Sequence, residues 1–290
     1  MTKKFYRSVA IWAFGMGVLI LAVSLFIRNT QRAVGKLETV ELLPQAARAE
    51  AAGDLDEARA LYDEILGYTP DSRMGRLGAA RMAYRQGRFS EALAHCGAAL
   101  GYGVSDSSFD EQLLRGKLLL AMGRFDEATA AFRSAAASGP DSPEPLSELA
   151  KTAEATLDFA LLRETLYAVG KLDSADASRE YREQRERLRQ IIDASGHVIQ
   201  SAGPTAQTYY ALASALRDSG NWDGAMDAFA QATRLPDCPA DAWFWLGADA
   251  AADGDVDAAA ADFQKVLSKL PRHRAALYAA QRYPVPDTQT

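Results

Sequence analysis

The segment "GRFDEATAAF" at residues 123–132 is the clearest indication of the fold, because near-copies of it recur along the chain. They read "GDLDEARALY" at 53–62, "GRFSEALAHC" at 87–96, "GNWDGAMDAF" at 220–229 and "GDVDAAAADF" at 254–263. Neighbouring copies are about 34 residues apart, and the gap between the third and fourth copies is close to three such periods. Repetition of this length is typical of solenoids, in which units with incomplete cores stack on one another.

Each copy lies between two segments whose apolar residues have helical spacing. Gly123 can adopt the left-handed conformation that ends a helix, and Phe125 can cover the bend that follows. Asp126 suits the start of the second helix. Ala128 is small where two helices cross, and Phe132 lies one turn away on the same face. The repeat is therefore predicted to be a pair of helices, and the array an all-α solenoid.

This pattern resembles the tetratricopeptide repeat family. The unit at 240–273 matches best, with Trp243, Leu246, Gly247, Ala259, Phe263 and Pro271. The unit at 109–142 matches nearly as well, with Gly116, Ala128, Phe132 and Pro140. The family's first-helix tyrosine is replaced by Ala49, Ala83, Leu119, Leu216 and Ala250. The resemblance implies a superhelix of helix–turn–helix units with a concave groove.

The predicted repeat array spans residues 39–283. Its regular units lie near 39–72, 73–106, 109–142, 206–239 and 240–273, with a capping helix at 272–283 and a tail at 284–290. Between 143 and 204 the pattern lapses, and we expect two degenerate units there.

Within that degenerate segment, residues 178–200 form a long charged stretch with an apolar stripe. Arg179 and Glu183 are spaced for an i,i+4 ion pair, as are Arg182 and Glu186. The stretch is a helix that binds a partner or a second copy, or it is a scaffold helix with a solvated face. The sequence leaves these two alternatives open.

An apolar run without a charged residue extends over residues 8–27, between a basic tail at 1–7 and a linker at 28–38. A helix of about 20 residues spans the roughly 30 Å hydrocarbon core of a bilayer. A cleaved signal peptide is the alternative, but the run is long for one and no clear cleavage motif closes it. We expect a single-pass anchor in the lipid bilayer of a bacterial inner membrane. The short basic tail favours the cytoplasm, which places the repeats on the periplasmic side.

The composition is that of a folded protein, since 48% of residues are hydrophobic and 24% are charged. The formal net charge is −6, and residues 1–28 carry basic side chains only, so the rest of the chain is more acidic still. Nucleic-acid binding depends on neutralising phosphates with Lys and Arg. An acidic repeat array therefore argues against a nucleic-acid partner.

Residue patterns typical of enzymes are absent from the sequence. It contains no glycine-rich phosphate loop, no nucleophile elbow and no HExxH metal motif. His95 and Cys96 are adjacent on a predicted helix, where neighbouring side chains point about 100° apart and do not face each other. We predict no catalytic residues, no metal site and no cofactor, and hence a protein that is not an enzyme.

The resemblance implies that the first helix of each unit lines the groove. The predicted partner-binding residues are Met74, Leu77, Arg81, Tyr84, Arg85, Lys117, Gln207, Tyr210, Arg217 and Phe244. Tyr, Phe, Met and Arg are enriched at protein contacts, although scattered apolar surface residues are normal. The carboxylate clamp of one subset of the family needs asparagines, and neither Asn29 nor Asn221 lies on a groove helix. We therefore expect a protein or peptide segment held by mixed apolar and polar contacts.

These expectations favour a membrane-anchored scaffold or adaptor in the assembly of an envelope or membrane complex. A chaperone-like holder of exported or unfolded chains is a second hypothesis. A regulatory subunit of a membrane enzyme is a third. The sequence leaves the oligomeric state open.

Overall fold

The computed structural model describes residues 38–100, 109–172 and 179–284. All regular secondary structure in these ranges is α-helical. The helices are α1 (38–52), α2 (Leu55–Tyr68), α3 (Arg73–Arg85), α4 (Phe89–Leu100), α5 (Phe109–Ala121), α6 (Phe125–Ser138), α7 (Pro143–Thr156), α8 (Phe159–Lys171), α9 (Arg179–Ser201), α10 (Ala206–Asp218), α11 (Trp222–Thr233), α12 (Ala240–Ala252), α13 (Val256–Lys269) and α14 (Arg274–Arg282). Within these ranges, no helix has the length and apolar character needed to cross a bilayer. The predicted anchor at 8–27 lies outside the described residues.

The turn between the two helices of a repeat has the predicted chemistry. The glycines of the five copies all have positive φ angles: Gly53, Gly87, Gly123, Gly220 and Gly254. At the same position after α7 the chain has Leu157, which adopts a φ of 52° without being glycine. Such a conformation costs about 1–2 kcal/mol for a residue with a side chain. Because Leu157 adopts the turn conformation despite this cost, the glycine signal is missing from the sequence here although the turn itself persists.

The core is built from the small and aromatic positions of the repeat. The crossing-point alanines are fully buried: Ala58, Ala92, Ala128, Ala225 and Ala259. Phe132 is also fully buried, and its ring lies over the first helix of its unit. A Cβ added to Gly116 would lie 2.4 Å from that ring. The glycine of the first helix is therefore required by the aromatic residue of the second.

The chain forms two compact units, Met1–Ser107 and Ser108–Thr290. The first unit contains α1 to α4. The second contains α5 to α14. In the second unit, consecutive helices contact each other from α5 to α8 and again from α9 to α14. In addition, α8 packs against α12, which lies far from it in sequence.

The degenerate segment contains one helix pair and the long charged helix predicted at 178–200. Its first part is a pair, α7 and α8. Its second part is the single long helix α9, which packs against α10. Ser195 is the residue of α9 that is buried, so most of this helix is accessible to solvent.

Candidate functional site

Helix α8 lies on the C-terminal repeats through a cluster of aromatic rings. The side chain of Phe159, at the start of α8, is only 1% exposed. Its ring centroid lies 5.9 Å from that of Phe244 in α12 and 6.1 Å from that of Phe263 in α13. The ring of Tyr283, which follows α14, is 6.4 Å away. The start of α8 is thus enclosed by three elements of the C-terminal repeats.

Polar contacts continue this interface along α8. The Arg163 guanidinium forms ion pairs of 3.3 Å with Asp249 and 2.6 Å with Asp253, both at the C-terminal end of α12. Near the other end of α8, Gly170 meets the turn between α10 and α11. A Cβ added to Gly170 would lie 3.0 Å from the carbonyl oxygen of Gly220. The chain therefore fills part of the predicted groove of its C-terminal repeats with its own helix.

Two of the predicted groove residues lie in the core. Phe244 is 6% exposed and packs against Phe159 of α8, Phe263 of α13 and His273. Leu77 in α3 is 5% exposed. The prediction treated both as side chains available to a partner, and the structure places them inside the protein. The repeat pattern identifies a groove position but does not show what covers it.

In the first unit, two of the predicted residues of α3, Arg81 and Arg85, lie beside one carboxylate. Arg81 donates two hydrogen bonds of 2.8 Å to the Glu50 carboxylate, and the Tyr62 hydroxyl donates one of 2.9 Å. Arg85 lies 3.8 Å from the same carboxylate. Burial alone would raise the pKa of Glu50, but the bonds from Arg81 and Tyr62 outweigh it and hold that pKa below its ordinary value. Arg81 is therefore engaged in joining α1 to α3.

Met74 and Tyr84, also predicted residues of α3, lie outside this cluster of charged groups. Met74 is 56% exposed, and Tyr84 is half-buried with its ring 5.9 Å from that of Phe89. Their positions agree with a surface that could contact a partner.

An open cleft lies between α7 and α9 in the second unit. It has a volume of about 880 Å³. One wall carries Glu144, Ser147 and Lys151 of α7, and the other carries Tyr181 and Gln184 of α9. The three residues of α7 occupy the groove positions of their repeat, since they have the same spacing as the groove residues of the regular units. A concave surface of this unit is therefore open where α8 does not cover it.

A smaller cavity of about 180 Å³ continues from the cleft and shares four of its lining residues. Arg217 and Trp245 border this cavity. The Arg217 guanidinium lies over the Trp245 ring, 3.9 Å from its centroid, and also pairs with Asp218 at 2.7 Å. Arg217 is thus the predicted groove residue that the structure places directly in the cleft region.

Ion pairs shape the charge of the cleft. Lys117 pairs with Glu144 at 2.6 Å, and Lys151 pairs with Glu148 at 3.0 Å. Both lysines are therefore partly neutralised by carboxylates of α7. The cleft combines charged groups with the apolar surfaces of Phe109, Pro140 and Tyr181, which suits mixed contacts with a polypeptide.

The remaining predicted residues lie on α10. Gln207 is exposed, whereas Tyr210 is half-buried and its ring lies 5.6 Å from that of Phe229. Neither residue lines the cleft or the smaller cavity. The sequence prediction missed Glu144, Ser147 and Lys151 because their unit lacks the glycine signal, although groove spacing would have identified them. For Tyr181 and Gln184 no repeat pattern exists.

Among the described residues, no group of three or more His, Cys, Asp and Glu side chains is arranged to hold a metal ion. Hydrogen-bond donors, carboxylates and rings line the cleft. Groups of these kinds can make noncovalent contacts with a polypeptide.

Solved structures with a similar fold include a tetratricopeptide repeat protein from Parabacteroides merdae. It is 16% identical over 84% of this chain and 98% of its own length, with a TM-score of 0.44. PilF of Pseudomonas aeruginosa is 13% identical over 86% of this chain and 99% of its own, with a TM-score of 0.43. PilW, described as a type IV pilus biogenesis factor, is 16% identical over 84% and 97%, with a TM-score of 0.42.

Among curated proteins, none matches the sequence significantly. A sequence model of the tetratricopeptide repeat matches residues 43–106 and 210–275, and a second model of the same repeat matches 109–152. Together these matches cover more than half of the chain, including both compact units. The protein belongs to the tetratricopeptide repeat family.

Proposed function

We propose that this protein is a membrane-anchored scaffold that binds a segment of a partner protein in the cleft between α7 and α9. The observation that carries the proposal is that groove positions of α7 line an open cleft of about 880 Å³, while α8 covers groove residues of the C-terminal repeats. Ligand clefts typically have volumes of about 300–1,000 Å³.

The chemistry of the two walls supports a polypeptide ligand. Tyr181 offers a flat apolar surface, and Gln184 offers an amide that can pair with a peptide backbone. Across the cleft, Lys151 and Glu144 are largely accessible, although each has an ion-pair partner. Replacing such an exposed ion pair with one to the bound segment costs little, because each pair contributes at most about 1 kcal/mol to stability. A segment with both apolar and charged side chains can therefore enter without breaking the fold.

Filling the cleft tests the proposal. Ser147 is exposed on the α7 wall, so Ser147→Trp would project an indole into the cleft. Ser134→Trp, at an exposed position of α6 outside the cleft, is the matched control. We expect one partner to copurify stoichiometrically from native membranes with the unaltered protein and the control, and to be lost with Ser147→Trp. If the Ser147→Trp variant retained every partner, the proposal that a partner binds in the cleft would be refuted. Many substoichiometric clients would favour the chaperone-like holder instead.

The membrane anchor and the location are part of the proposal. Their support is the uncharged run at 8–27 and the basic tail before it. We expect the anchor to hold the chain in a bacterial inner membrane with the repeats on the periplasmic side. Alkaline phosphatase fused after Thr290 should then be active, and a cytoplasmic reporter at the same place should be inactive. The reverse result would overturn the orientation.

A further inference from the structure

A basic pocket borders α9. It lies on a face of this helix next to the face that borders the cleft. Arg182, Arg185 and Arg189 have i, i+3 and i+7 spacing, so they share one face of the helix. Lys171, at the end of α8, faces the same space. The turn between α10 and α11, residues 219–221, completes a concavity of about 690 Å³.

The positive charges of this pocket are only partly balanced. Glu186 is the acidic residue in its lining, and it lies 3.5 Å from Arg189. Arg185 donates a hydrogen bond of 2.8 Å to the carbonyl oxygen of Ser219. This bond orients the Arg185 guanidinium toward the turn without neutralising its charge. One carboxylate thus stands against four cationic side chains.

Arg182 and Lys171 form no ion pair and no side-chain hydrogen bond with any residue in the described ranges. Like charges at i,i+4 spacing, as in Arg185 and Arg189, destabilise a helix by a few tenths of a kcal/mol. The pocket therefore concentrates cationic side chains in a protein whose formal net charge is −6. An anionic partner would remove this repulsion.

We propose that the pocket binds an acidic segment of a partner protein through Asp and Glu carboxylates. The guanidinium group presents its donors in a planar fork that matches a carboxylate, which favours Arg over Lys at such sites. The concave shape, bounded by α8, α9 and the 219–221 turn, suits a projecting chain segment. The pocket shares Arg185 with the cavity that continues the cleft, but Lys171, Arg182 and Arg189 line only the pocket. Binding at this site goes beyond the function proposed above.

The test measures binding of fluorescein-labelled hexaglutamate to the purified full-length protein by fluorescence anisotropy. An acidic protein repels this peptide in general, so binding reports a local basic site. The variant Lys171→Gln, Arg182→Gln, Arg189→Gln removes three charges from the pocket. The matched control is Arg187→Gln, an exposed arginine of the same helix outside the pocket. The free headgroup glycerophosphoglycerol is titrated in parallel to represent an anionic lipid surface.

We expect hexaglutamate to bind the unaltered protein, with affinity that falls as salt is added. The triple variant should bind about tenfold more weakly, since each exposed pair accounts for roughly a twofold to threefold change. Arg187→Gln should bind as the unaltered protein does. If the triple variant loses helicity by circular dichroism, Arg182→Gln alone should still weaken binding about twofold to threefold.

Absence of binding to the unaltered protein, or equal losses in the triple variant and Arg187→Gln, would overturn the proposal. Binding of glycerophosphoglycerol without binding of hexaglutamate would replace the acidic segment with a lipid headgroup. Ser147→Trp should leave hexaglutamate binding unchanged. That variant therefore separates failure of this site from failure of the cleft.

Discussion

Replacing Phe159 with alanine should destabilise the second unit severely, because its buried ring packs α8 against the C-terminal repeats. The ring is 1% exposed and lies near the rings of Phe244, Phe263 and Tyr283. Removal of a buried phenylalanine from a packed core costs about 3–5 kcal/mol, which includes the cavity that remains. Loss of edge-to-face and stacked aromatic pairs adds to this cost.

The chain contains its own control for this substitution. Phe125 begins α6 as Phe159 begins α8, and the two residues occupy the same position of their repeats. Phe125 is 36% exposed, because no distant helix covers it. Phe125→Ala should therefore cost only about 1 kcal/mol. The difference of at least about 2 kcal/mol between the two variants measures what the docking of α8 contributes.

Urea unfolding followed by tryptophan fluorescence provides the assay. Trp222, Trp243 and Trp245 lie in α11 and α12, so the signal reports on the repeats that α8 contacts. Repeat proteins need not unfold in one step, so hydrogen exchange of the α8 amides gives a second readout. We expect Phe159→Ala to lower protection of α8 strongly and Phe125→Ala to leave it intact. Equal costs for the two variants would refute the docking of α8 on the C-terminal repeats.

Two further predictions concern the repeat core and the first unit. Gly116→Ala should destabilise the second unit by about 1–2 kcal/mol, because the new Cβ would lie 2.4 Å from the Phe132 ring and overpacking outweighs the gain in helix propensity. Gly196→Ala in α9, where a Cβ meets no atom within 4 Å, should instead stabilise the protein by up to about 1 kcal/mol in the same urea titration; a loss from both variants would contradict this reasoning. Glu50→Gln should lower the stability of the first unit by about 1–2 kcal/mol at neutral pH, as judged by hydrogen exchange of the α3 amides. The pKa of Glu50 is lower in the folded than in the unfolded protein, so its contribution is present at neutral pH and is lost as pH falls through the folded-state pKa. The variant and the unaltered protein should therefore converge in acid, and a constant difference at all pH values would contradict the role of the Glu50 carboxylate.

The helix pairs could be predicted from the sequence because their signals are local. Gly123, Ala128 and Phe132 lie within ten residues, and their spacing reflects one turn and one helix crossing. Leu157 shows the limit of this reasoning. It adopts the positive φ of the turn without being glycine, so the sequence signal is missing where the structure is present.

The candidate site was predictable in part. Among the predicted groove residues, Arg217 borders the cavity that continues the cleft, and Lys117 pairs with Glu144 of the cleft wall. Phe244 satisfies the groove spacing but is covered by α8. The α9 wall has no counterpart in the repeat pattern, because α9 is a single long helix and not a helix pair of the repeat.

The repeat family, the helix pairs and the residues of their cores follow from the amino-acid sequence, since these depend on contacts within a unit and between neighbours. Which groove positions are open depends on how distant helices pack. Arg163 meets Asp253 across 90 residues of chain, and that contact depends on the rotations summed over every unit between them. Small rotations of each unit accumulate along a solenoid and leave no local trace in the sequence. Only the folded chain therefore shows that α8 covers one part of the concave surface and that α7 and α9 enclose another.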